Sequence, residues 1–142
     1  MSKQRVSRPD RRFVFRRANG CCEYCKCRAD FATQSLVTEH IIPSVKGGSD
    51  DLENLALACQ GCNSHKAVKT EALDPVSKQL VPLFHPRQQK WREHFNWDES
   101  YTQILGLTPT GRATVEALRL NRPELLRLRA ALFLLGEHPP VE

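Results

Sequence analysis

A chain of 142 residues makes one ordinary domain, or a small module with an appended half, and no apolar run in it approaches the roughly 20 residues of a membrane span. Its formal charge of +5 is uneven: residues 1–28 hold nine lysines and arginines against Asp10 and Glu23, residues 29–70 hold three against five acids, and the remainder balances. A cationic arm beside an acidic centre suits a polyanion, most simply nucleic acid, and with no spanning run a membrane partner is not expected.

In chain order, residues 1–8 read as a disordered basic lead, and the start Met1-Ser2-Lys3-Gln4-Arg5 has no apolar signal region, so the expected compartment is cytoplasmic. Pro9 to Ala18 predicts a short helix, with Phe13 and Val14 toward a core and Arg11, Arg12, Arg16 and Arg17 outward. Alternation predicts a strand over Gln34 to His40, then a Gly-Gly-Ser-Asp loop over Pro43 to Asp51, and a second strand over Asn54 to Ala58. A helix is expected from Asn63 to Leu73, broken by Asp74-Pro75. Leu80 to Phe84 reads as a strand, Pro86 to His94 as a short helix, and Asn96-Trp97 with Tyr101 to Leu107 as a hairpin. Thr108-Pro109 opens a helix to about Leu120. Asn121-Arg122-Pro123-Glu124 reads as the cap of a last helix ending before Gly136, whose Leu125, Leu128, Leu132 and Leu135 recur at packing distance.

The chemistry lies between residues 22 and 66. Cys22/Cys25 and Cys59/Cys62 are Cys-x-x-Cys turns, each of which presents two sulfurs to one ion. Two such turns give a closed, structural four-thiolate zinc site. A cytoplasmic setting favours this over disulfides. Cys21 and Cys27 lack the spacing and are spare. Inside the insert, His40 can accept a proton from water near neutral pH. Glu39 and Asn63 can supply oxygen ligands to a hard divalent ion. Asn54 can hydrogen-bond the loop backbone and hold His40. Neighbours on a strand point to opposite faces, so Glu39 and His40 meet at one site only if the chain bends, for which Pro43 and its loop give room. His65, two residues past Asn63, lies off its helical face and is expected outside the metal shell. Lys66 is expected at phosphate.

Cys22-Glu23-Tyr24-Cys25, Glu39-His40-Ile41-Ile42-Pro43, Gly47-Gly48-Ser49-Asp50-Asp51, Asn54-Leu55, Cys59-Gln60-Gly61-Cys62-Asn63 and Lys66 together resemble an HNH endonuclease of the zinc-knuckle type. The resemblance covers about residues 10–70. It implies an α+β fold, a ββα-metal module stapled by zinc and followed by a mixed, mainly helical extension. It implies His40 as general base, Asn54 as the brace of the catalytic loop, and Asn63 as the helix residue that completes a site for Mg2+, Mn2+ or another divalent ion. The residue before the catalytic histidine, usually Asp or His in that family, is Glu39 here.

The expectation is therefore a metal-dependent endonuclease on DNA, double-stranded DNA foremost. Residues 1–70 would carry the arm and the nuclease module, and residues 71–142 an accessory region packed on it. Arg11, Arg12, Arg16, Arg17 and Lys66 would hold the nucleic acid by its backbone, which positions without reading sequence. The alternatives are a non-catalytic zinc-stabilised module that binds nucleic acid, and a protein-interaction zinc ribbon. His85, Trp91, His94, Phe95 and Trp97 fit packing better than a base-stacking platform, and Arg119, Arg122, Arg127 and Arg129 fit a solvated face or a second DNA contact.

Overall fold

Ser7 starts the first helix by accepting the Asp10 backbone N–H, and α1 (Arg8–Arg17) carries Pro9 in its first turn. A computed structural model describes residues 6–141; residues 1–5, on which most of the expected basic lead falls, lie outside the described residues. Val14 alone of α1 is fully buried, against Leu55 and Leu57. Phe13, expected in the core, is exposed beneath the Arg17 guanidinium.

Strands β1 (Val37–His40) and β2 (Leu55–Ala58) pair antiparallel, with Glu39 opposite Ala56 and His40 opposite Leu55. Opposite residues share a face. Glu39 therefore lies with Ala56 and Ala58 toward the knuckles, and His40 with Leu55 and Leu57 toward α1. Helix α2 (Gln60–Lys66) crosses the hairpin and completes a ββα unit. It starts earlier and stops sooner than the expected residues 63–73. The Cys59 sulfur caps it by accepting the Cys62 N–H, and Ala67, at φ 49°, leaves the helical region.

Residues 71–73 are extended instead. β3 (Glu71–Leu73) pairs with β4 (Leu80–Pro82) in a hairpin that the sequence reading missed. Asp74 fixes its turn: its carboxylate accepts the Val76 and Ser77 N–H groups and pairs with Arg112. Helix α3 is only Trp91–His94, and β5 (Phe95–Trp97) and β6 (Ile104–Gly106) form the expected hairpin. Helix α4 (Pro109–Leu118) is capped by Thr108, and α5 (Pro123–Leu134) follows. No capping box opens α5, because the Asn121 amide is spent on both backbone groups of Ile104. A Gly136 turn ends it, at φ 73°, with the Glu137 N–H returned to Leu132. Leu135 therefore falls outside the packing stripe and is 72% exposed, whereas Leu125 and Leu132 are buried.

The described residues thus form an α+β fold of five helices and three two-stranded antiparallel sheets. One core runs from Cys22, Tyr24, Cys25, Cys59 and Cys62 through Phe84, Trp91 and Phe95 to Leu118, Leu120 and Leu125. Trp91 and Phe95 are packing residues in it. Trp91 lies tilted on Phe95 and donates its indole N–H to the Tyr24 carbonyl at 2.9 Å. No helix among the described residues is long and apolar enough to cross a membrane.

Candidate active site and metal centre

The two knuckles are built alike. The Cys25 N–H points to the Cys22 sulfur at 3.5 Å and the Cys62 N–H to the Cys59 sulfur at 3.4 Å, so each turn aims its sulfurs inward. All four thiols are buried, with sulfurs within 4.8 Å of one another, and the Cys25–Cys59 separation is 3.6 Å. A tetrahedron with Zn–S bonds of about 2.3 Å has edges of about 3.8 Å, so the donor set fits zinc with no open position. Burial pushes the Cys22 thiol up, while hydrogen bonds from Cys22, Cys25 and Cys62 hold Cys59 well below the usual thiol range. Cys21 and Cys27 stay outside, their thiols donating to the carbonyls of Asn19 and Arg28.

The second site lies where β1 meets its loop. Asn54, 8% exposed, accepts the Ile42 N–H through Oδ1 and donates through Nδ2 to the carbonyls of Ile42 and Ser49. It ties both ends of the loop to the strand. Gly48 is packed so closely there that a Cβ would meet the Ile42 carbonyl oxygen at 1.7 Å. That bracing brings Asp50 to His40, with Oδ1 2.6 Å from Nε2. A carboxylate only accepts, so Nε2 carries the proton and Nδ1 holds the lone pair. Asp50 was not singled out from the sequence as a partner of His40, because the Gly-Gly-Ser-Asp-Asp run reads as a loop and enters only as one segment of the resemblance.

Glu39 is placed differently from the sequence expectation. Pairing stays regular through His40, so the two side chains face opposite ways and no bend unites them. The Glu39 carboxylate is 6% exposed, with Oε1 3.1 Å from Lys66 Nζ and Oε2 accepting the Tyr24 hydroxyl. Burial raises its pKa, with Lys66 and then Tyr24 pulling it back. Lys66, expected at phosphate, is only 1% exposed. Its ammonium donates to the carbonyls of Ile41 at 2.9 Å and His40 at 3.3 Å as well, so it is not available to a phosphate. Removing Lys66 leaves a buried carboxylate without its cation. Lys66→Ala is expected to cost about 3–5 kcal/mol in urea unfolding, and Glu39→Gln in the same chain to recover part of that. An additive loss in the double variant would show that the pair is not coupled.

Asn63 precedes Lys66 by one turn of α2, and its carboxamide makes no hydrogen bond to another side chain among the described residues. His65 lies toward Arg119 and Arg122, where burial and then these guanidiniums lower its pKa. Of the basic arm, Arg11, Arg12 and Arg16 are exposed on α1. Arg17 is partly buried and tied back, donating to the Leu55 carbonyl at 2.8 Å.

A ββα unit whose knuckles fit zinc and whose strand end carries a histidine held by a carboxylate defines a nuclease-type or nucleic-acid-related module. Residues 22–69 match the family model of the HNH endonuclease. No match was found among curated proteins or among solved structures.

Proposed function

We propose that the module hydrolyses phosphodiester bonds of double-stranded DNA with His40 as general base. The observation that carries this is the His40–Asp50 pair at 2.6 Å. Asp50 fixes the proton on Nε2 and leaves Nδ1 to take one from water. Asn54 holds the loop that presents Asp50. The exposed Arg11, Arg12 and Arg16 would grip the DNA backbone. Of the two oxygen donors expected for Mg2+ or Mn2+, Glu39 does not fit, because it faces away from His40 and its carboxylate is held by Lys66 and Tyr24. Asn63, one turn before Lys66 on α2, is the oxygen donor left for such a divalent ion. When bound, such an ion would stabilise charge on the phosphate and on the departing 3′ oxygen.

The engagement of Glu39 favours a second reading, a zinc-stabilised module that binds nucleic acid without cleaving it. Incubating the zinc-loaded protein with supercoiled plasmid and Mg2+ or Mn2+ separates the two. Conversion to nicked or linear DNA supports the nuclease. Retarded but intact plasmid under every ion tried sinks it and leaves the binding module.

A further inference from the structure

We infer that Arg122 and Arg129, both from the C-terminal region, are the outer cations of the four-thiolate zinc centre, and that Arg122 controls how firmly it holds its ion. Four thiolates and one Zn2+ carry a net charge of −2, buried in a core that solvates charge poorly. Among the described residues, two guanidiniums stand against it. Arg122 Nη2 lies 3.6 Å from the Cys59 sulfur and 3.8 Å from that of Cys62, and Nη1 lies 3.7 Å from Cys62. Its Nη1 also donates to the carbonyls of Leu118 and Arg119 at 3.0 Å, which fixes the fork at the end of α4. Glu124 reaches Arg122 only from an exposed position at 3.6 Å.

Arg129 makes the stronger case for charge balance. It is 4% exposed, and no carboxylate pairs with it among the described residues. Its donors meet the carbonyls of Thr102, Leu120 and Cys25, and the Asn121 side-chain oxygen. A buried guanidinium without a counter-anion is costly. The zinc–thiolate dianion beside Cys25 supplies that counter-charge. Arg122 thus meets the sulfurs of the second knuckle, and Arg129 meets the backbone carbonyl of Cys25 in the first.

Gly61, between the second pair of ligands, fits this arrangement. A Cβ there would lie 2.7 Å from Arg122 Nη2 and 2.9 Å from Cζ. The guanidinium needs the space that a side chain at 61 would fill. Gly61→Ala therefore separates the contact from the fold. Alanine favours helix over glycine within α2, yet it must push the tip of Arg122 off the sulfurs.

The test is the rate of zinc transfer from the purified, zinc-loaded full chain to excess colour-forming chelator. Removing an outer partner of a metal ligand weakens binding about 10- to 100-fold. Arg122→Gln and Gly61→Ala are each expected to speed release by about that range. Arg122→Lys, which keeps the charge and loses the fork, is expected to fall between. Thermal melts of the zinc-loaded variants identify those that fold. Should Arg122→Gln fail to fold, Gly61→Ala decides alone. A folded Gly61→Ala or Arg122→Gln protein that releases zinc at the wild-type rate overturns the inference. A wild-type chain that purifies without zinc overturns it together with the zinc assignment, and neither result depends on cleavage activity.

Discussion

His40→Ala is expected to slow plasmid cleavage by about 10²- to 10⁴-fold while leaving zinc content and melting temperature close to wild type. The rate falls because, among the described residues, neither neighbouring carboxylate is placed to take the water proton. Glu39 faces the opposite side of β1, and Asp50 reaches the site only through the imidazole. Stability should hold because His40 ends its strand partly exposed, and the loop after it is tied by Asn54 rather than by the ring. Asp50→Asn tests the same geometry from the other side. An amide can donate to Nε2 as readily as it accepts, so the proton is no longer confined to Nε2 and the base loses its fixed tautomer. The expected loss is about 10- to 100-fold in kcat with KM little changed, since Asp50 acts through the imidazole rather than on the DNA. Wild-type cleavage by His40→Ala would remove the histidine from the chemistry. Unchanged kcat in Asp50→Asn would leave His40 in place and reduce the pair to a surface contact.

The parts of this molecule that were legible in the sequence are those written in local chemistry. Cysteine spacing gave the four-sulfur cluster, because a Cys-x-x-Cys turn closes on itself whatever surrounds it. Alternation gave β1, Pro and Thr gave the start of α4, and the runs at Asn96-Trp97 and Tyr101 to Leu107 gave the β5–β6 hairpin. What was not legible depends on long-range contact. The stretch after Lys66 has helical composition, but Ala67 turns out of the helix and residues 71–73 find β4 across the Asp74 turn. Glu39 and Lys66 both carry charges that a sequence reader puts at solvent, at an ion or at phosphate. In the fold they are 27 residues apart and neutralise one another beside Tyr24. Arg122 and Arg129 read as a solvated face or a second DNA contact because their counter-charge is a cluster of sulfurs 60 residues or more upstream. The misread charges, Glu39, Lys66, Arg122 and Arg129, are groups whose partners are distant in sequence.

Cys59→Ser is expected to cost zinc and fold together. The residue has three duties: it is one of four sulfurs around the ion, it caps α2 by accepting the Cys62 N–H, and it receives Arg122 Nη2. Serine is a good N-cap, so the second duty survives the change and cannot account for a loss. A serine hydroxyl does not replace a thiolate on zinc. Structural zinc contributes roughly 10–16 kcal/mol to small modules at neutral pH, against a total stability of about 5–15 kcal/mol for an ordinary domain. Loss of even a third of that leaves the module marginal. The core offers no reserve, because the knuckle residues pack into the same cluster as Trp91, Phe95 and Leu120. Metal analysis should therefore fall from about one zinc per chain to near none, and the cooperative melt followed by circular dichroism should disappear. Tryptophan emission should shift red as Trp91 leaves the Tyr24 carbonyl. Cys21→Ser is the matched control, since its sulfur lies outside the cluster and donates to the Asn19 carbonyl, and it should keep both zinc and melting temperature. If Cys59→Ser melts like wild type, the four sulfurs are not what holds this fold, and the placement of His40 on β1 must be explained by the hairpin and its loop alone.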